Sequence, residues 1–145
     1  MFDRLEFYHG AAIIQVIQDS RCHAIEKIDS GYLINGERPV AIKYTTKEHS
    51  PWRFTVNDDD ITRFDTALAH YGDLILALVC GGDGVCALSW RSDRAVLGGL
   101  PGWLAVKRSF NGCYAVSGSQ GELARKVAIN RWPALLFEVT KGNIE

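Results

Sequence analysis

The sequence predicts an α/β protein of the α+β kind, a mixed sheet with an αβββαβ core extended by a C-terminal β-rich part. Three observations carry that prediction. Two stretches open on helix-capping residues, Asp3 and Asn57, and continue with an apolar period near that of a helix. An Asn35-Gly36 pair separates two strand-like segments, which is a strong hairpin signal. Residues 74–80 are continuously apolar, as expected of a strand covered on both faces.

In the first helix Asp3 and Glu6 are spaced as a capping box, and Leu5, Ala12, Ile13, Val16 and Ile17 form the expected apolar stripe. Gly10 weakens this helix without breaking it. Residues 24–34 read as a strand, residues 39–46 as its hairpin partner and residues 52–56 as a third strand. Asn57 and the run Asp58-Asp59-Asp60 then start a second helix with Ile61, Phe64, Leu68 and Tyr71 on its inner face, and Gly72 ends it. Acids in a first turn complement the helix dipole, so this run reads as a helix start rather than a metal site. The helix is long enough for a parallel crossover, which places residues 74–80 parallel to and beside the early meander. Gly81-Gly82-Asp83-Gly84 lacks the lysine and following helix of a phosphate loop and reads as a tight turn into residues 85–90. A short helix over 93–97, a loop over 98–102, a hairpin of 103–109 with 113–117 around Asn111-Gly112, and strands over 123–129 and 134–139 complete the prediction.

The chain of 145 residues fits one domain, and 47% apolar residues supply a core. Lys plus Arg number 16 against 17 Asp plus Glu, so no general affinity for polyanions follows and any nucleic-acid surface must be local. Neither a signal peptide nor a run of bilayer length is found, which leads to the expectation of a cytoplasmic protein without a membrane partner. Cys22, Cys80, Cys86 and Cys113 form no CxxC pair and are expected as reduced thiols. His9, His23, His49 and His70 have no metal-ligand spacing, and no Ser, His and Asp arrangement stands out as a triad.

Lys43 is the residue with the most chemical promise. Val40, Ile42 and Tyr44 take one face of their strand, which leaves Ala41, Lys43 and Thr45 on the other, less apolar one. The stretch 43–53 gathers Lys43, Thr45, Lys47, Trp52 and Arg53, a mixture suited to phosphate contacts and to stacking on unpaired bases. A second basic and aromatic group, Trp103, Lys107, Arg108 and Tyr114, lies on the late hairpin, with Arg125, Lys126 and Arg131 after it.

The element order over residues 1–80 and the segment Val40-Ala41-Ile42-Lys43-Tyr44 resemble the core of restriction-endonuclease-like nucleases and Holliday-junction resolvases, with residues 81–140 as a β-rich extension. In that family an acid, any residue and a lysine lie along one strand beside an aspartate, and the carboxylates hold Mg²⁺ next to the lysine. The resemblance implies that Lys43 is the family lysine. It also shows Ala41 where the metal-binding acid belongs and Asn35 at the aspartate position. A migrated acid could restore the Mg²⁺ site. A two- or four-residue hairpin loop brings Glu26 to the Lys43 face, a three-residue loop brings Asp29 there, and Glu6 on the first helix is a third candidate. Residues 42–56 and 78–84 are also similar to segments of small prokaryotic proteins, a likeness that carries no activity. The resemblance implies a nucleic-acid-binding or processing protein, and a metal-dependent nuclease if it is an enzyme; the residues expected to contact the nucleic acid are Thr45, Lys47, Trp52, Arg53 and Arg108. The rival expectation is a non-catalytic module, a regulator or inhibitor that meets a protein partner through exposed aromatics.

Overall fold

The computed structural model describes residues 3–109 and 112–138. Helix α1 (Arg4–Gln18) begins where the Asp3 carboxylate accepts a hydrogen bond from the Glu6 amide at 2.9 Å, the cap the sequence predicts. Its inner side carries Ala12 and Val16, both fully buried. Leu5 and Ile17, expected in the inner stripe, are instead 48% and 61% exposed, together with Phe7 and Ile14. Apolar residues occur all round this helix, so periodicity alone does not select the side that packs.

Residues 24–34, expected as one strand, form two: β1 (Ile25–Ile28) and β2 (Gly31–Ile34), antiparallel across an Asp29-Ser30 turn. Gly31 is required there. Its φ is +148°, and a Cβ would lie 2.1 Å from the Val40 carbonyl oxygen. β2 pairs with β3 (Arg38–Thr45) with Tyr32 opposite Val40, leaving a connection of Asn35, Gly36 and Glu37 in which Asn35 has φ 55°. The Asn35 side chain accepts hydrogen bonds from the amides of His23 and Ala24 and donates to the Arg21 carbonyl, fixing the approach to β1.

β4 (Trp52–Val56) precedes α2 (Asp58–Tyr71), which starts on a complete capping box between Asn57 and Asp60 and stops at Gly72 in the left-handed conformation. β5 (Ile75–Cys80) lies parallel to β3, as the apolar run predicts, with Lys43 opposite Leu78. β6 (Gly84–Ser89) returns antiparallel and completes a five-stranded mixed sheet in the order β1-β2-β3-β5-β6. Every residue of β5 is buried, and each Leu, Ile or Val side chain so removed from water contributes about 1.5–3 kcal/mol.

After a short helix α3 (Trp90–Asp93) and a 3₁₀ turn, β7 (Gly102–Lys107), β8 (Ala115–Gly118) and β9 (Gly121–Glu122) join β4 in a four-stranded antiparallel sheet, order β4-β7-β8-β9. The late hairpin is therefore present as β7 and β8, although Asn111 of its turn lies outside the described residues. Residues 123–129, expected as a strand, run irregularly and touch the sheet through a Tyr114–Val127 bridge. Residues 134–138 are not a strand either. Arg131–Ala134 forms the single turn α4, Leu135–Phe137 a 3₁₀ turn, and Val139 lies outside the described residues. There Trp132, Leu135 and Leu136 bury together beside α1 and the first sheet, a wedge that an alternating strand could not present.

The first sheet is covered on both sides. One face carries Val40, Ile75, Ala77, Val79 and Ala87 against α1 and the C-terminal turns. The other carries Ala41, Leu76, Leu78 and Leu88 against α2 and the inner face of the second sheet, where Trp52, Phe54, Val56, Leu104 and Val106 point inward. The third strand expected in the core thus belongs to the second sheet, while β6 belongs to the first. Among the described residues no helix is long and apolar enough to cross a membrane.

Candidate functional site

Lys43 projects from the β3 face that α2 covers. Its ammonium lies 2.8 Å from Oδ2 of Asp60, whose side chain is 4% exposed. Asp60 stands in the first turn of α2, and its capping role turns the carboxylate back toward the sheet. The same Oδ2 accepts the Asn57 amide at 3.1 Å, and Oδ1 accepts the Arg63 guanidinium at 2.5 Å. Burial pushes the Asp60 carboxyl up, yet Lys43, the Asn57 amide and Arg63 outweigh it and hold it below the usual carboxylate range. A cleft of about 320 Å³ opens beside this pair, lined also by His9, Asp29 and Tyr32. His9 Nδ1 is 3.4 Å from the Tyr32 hydroxyl, and burial lowers its pKa.

Asp29 lines this cleft from the turn between β1 and β2, not from a strand paired in register with β3. Glu26 shares the Lys43 side of the sheet, because it pairs with Leu33 and Leu33 with Pro39, but it is exposed on the outermost strand. The acid that reaches Lys43 is Asp60, which the sequence marks only as a helix start. These residues do not fit the Mg²⁺ that the nuclease resemblance implies. A hard divalent cation takes about six oxygen ligands, whereas both Asp60 oxygens are occupied by cationic or amide donors. Among the described residues no group of three His, Cys, Asp or Glu could hold a metal.

The other nominated residues separate. Trp52 is 2% exposed and belongs to the core, with its indole NH donating to the Lys47 carbonyl at 3.0 Å, so neither ring face is open for stacking. Lys47 donates to the Pro51 carbonyl at 2.9 Å, and its amide lies 3.4 Å from the Thr45 hydroxyl; both brace the connection from β3 to β4. That connection also abuts the Gly81 turn, where a Cβ would fall 2.1 Å from the Lys47 carbonyl oxygen. Arg108 is held by Asp83, through Nε at 2.8 Å and Nη2 at 2.5 Å, and the buried Tyr114 hydroxyl donates to Asp83 at 2.9 Å. The Gly-rich turn is thus a latch between the two sheets. The Arg108 guanidinium and the Tyr114 hydroxyl hold the Asp83 carboxyl below its usual range, against a smaller upward push from burial.

Arg53 is different, because alternation along β4 points it away from the core. On the outer face of the second sheet its guanidinium lies 4.6 Å over the Trp103 ring, and that ring is 37% exposed. The floor beside them is made of the small residues Ala105, Ala115 and Ser117, and the chain after β9 forms the far wall, giving an open groove of about 620 Å³. Lys107 and Lys126 line it with Arg53, and Glu122 is its acid. The alternation of residues 52–56 and 103–107 marks these side chains as outward, but the pairing of β4 with β7 joins residues about fifty positions apart, a contact without local signature. Comparison with protein-family models, curated proteins and solved structures found no significant match to this chain.

Proposed function

We propose that the protein binds single-stranded nucleic acid along the outer face of its second sheet. The observation that carries this reading is the groove itself: three cations, Arg53, Lys107 and Lys126, border a floor of small side chains next to an exposed Trp103. Cations track a phosphate backbone, and an indole with a guanidinium stacked on it offers planar surface to an unpaired base. The small floor lets a base approach the sheet closely. Lys43 takes no part in this surface; its ammonium neutralises the buried Asp60. The proposed activity is therefore binding, in a protein whose lysine resembles that of nucleases but is set to a structural task.

The test is fluorescence anisotropy with a labelled oligo-dT at several salt concentrations. Three phosphate contacts predict a slope of log K against log salt near −2, so affinity falls roughly twentyfold between about 50 and about 200 mM salt. Lys107→Ala with Lys126→Ala should flatten the slope, and Trp103→Ala should weaken binding by about 1–3 kcal/mol for one stacked base. Absence of binding at low salt to single-stranded DNA or RNA overturns the proposal.

One observation favours a second reading, a module that meets a protein partner. The outer side of α1 exposes Phe7 at 63%, Ile14 at 54% and Ile17 at 61%, an apolar patch on a helix already packed on its other side. Association through such a patch changes little with salt, which separates the two readings in one titration.

A further inference from the structure

We infer that Glu122 reads the base in this groove and selects guanine. The inference rests on the proposed binding of single strands. Across the outer face, strand pairing sets Arg53 opposite Ala105, Ala105 opposite Ser117, and Ser117 opposite Glu122, so the four side chains form one row perpendicular to the strands. Arg53 closes one end of the row and Glu122 the other, separated by two small residues. At a strand spacing of about 4.8 Å the ends are roughly 14 Å apart along the floor.

Glu122 has no ion-pair partner among the described residues, although Lys107 and Lys126 line the same groove. A carboxylate repels phosphate, so a strand whose backbone follows the cations turns something else toward Glu122. The complement of an ionised carboxylate is a pair of adjacent donors. Guanine alone among the common bases offers this on its pairing edge, through N1–H and the N2 amine. Adenine and cytosine place an acceptor nitrogen beside their amine, and thymine and uracil flank one N–H with two carbonyls. In the orientation that turns guanine O6 toward Ser117, opposite Glu122 on β8, that hydroxyl can donate to it as well. Single-stranded recognition of this kind, by the pairing edge of a base stacked on an aromatic residue, gives specificity that cation contacts alone do not.

The experiment measures affinity for oligo-dT carrying one central dG, one central deoxyinosine, one central dA or no replacement. Inosine keeps N1–H and O6 but lacks the N2 amine. Wild type should bind the dG oligomer about tenfold tighter than oligo-dT, with inosine between them. Glu122→Gln should lose the guanine preference, since an amide matches the adjacent donor and acceptor that adenine, thymine and guanine all present. Glu122→Ala should show no preference. Equal wild-type affinities for dG and dT, or a guanine preference that survives both substitutions, overturns the role of Glu122 while leaving single-strand binding in place. Failure of wild type to bind any of the four oligomers at low salt overturns both.

Discussion

Replacing Lys43 tests whether its pairing with Asp60 matters to the fold. An ordinary strand lysine reaching solvent contributes less than about 0.5 kcal/mol. Here Lys43→Ala removes one charge-assisted hydrogen bond from a carboxylate whose side chain is 4% exposed. Breaking a fully buried pair costs about 3–5 kcal/mol. Lys43 itself is 23% exposed and Arg63 and the Asn57 amide still serve Asp60, so the expected cost is about 1.5–3 kcal/mol. For a chain of this size, with an unfolding entropy of about 2.1 cal/mol/K per residue, that lowers Tm by roughly 5–10 °C. Urea unfolding of wild type, Lys43→Ala, Asp60→Asn and the double variant gives the coupling energy directly, expected at about 1–2 kcal/mol. The Asp60 pKa is depressed in the folded state, because its three donors prevail over the upward push of burial. Its contribution is therefore complete above the ordinary carboxylate range and is lost as pH falls through the depressed value. The stability gap between wild type and Lys43→Ala should accordingly be widest near neutral pH and close in acid below about pH 4. A loss under about 0.5 kcal/mol, or a gap that stays constant into acid, refutes the reasoning.

Tyr114→Phe removes the hydroxyl that donates to Asp83 at 2.9 Å and should destabilise by about 1 kcal/mol, read as a lower urea midpoint at unchanged slope; an unchanged midpoint would count against the latch between the sheets. Thiol labelling should separate the cysteines by burial. Cys113 reacts at once in the native protein and half-buried Cys22 more slowly, whereas Cys80 and Cys86 react only on unfolding, the Cys80 thiol being pushed by burial and by the nearby Asp83 up to about 12. Prompt native labelling of Cys80 or Cys86 contradicts the placement of β5 and β6.

Local chemistry was readable where one short stretch holds the whole cause. Asn57, Asp60 and Gly72 bound α2 as their residue types require, and the apolar run of β5 gave both its burial and its parallel place beside β3. The Asp29-Ser30 turn escaped because its flanking residues, Ile28 and Gly31 to Ile34, read as one continuous strand and the stronger turn signal of Asn35-Gly36 stood close by. The inner side of α1 was ambiguous because Phe7, Ile14 and Ile17 are as apolar as Ala12 and Val16. At the site, Lys43 was legible as a strand lysine facing away from Val40 and Ile42, but its partner comes from the helix after the next strand. Asp60 satisfies a cap and an ion pair at once, and only the cap has a sequence signature. The groove was partly legible: Arg53, Trp103, Lys107 and Lys126 stand in basic and aromatic stretches of the sequence, and tertiary pairing of β4 with β7 is what gathers them.

The crossing of β4 into the second sheet bears on how this chain can be dissected. A cut after β5 would leave one fragment holding β4 without its neighbour β7 and β5 without β6, and the other holding β6 to β9 without the strands they border. Each piece would expose unpaired strand edges along strongly apolar segments, the condition that favours aggregation. Neither half is a unit that can be expressed to isolate the groove from Lys43. Mixed together, the two halves carry matching open edges, so reconstitution by strand exchange is the experiment that such interleaving makes available.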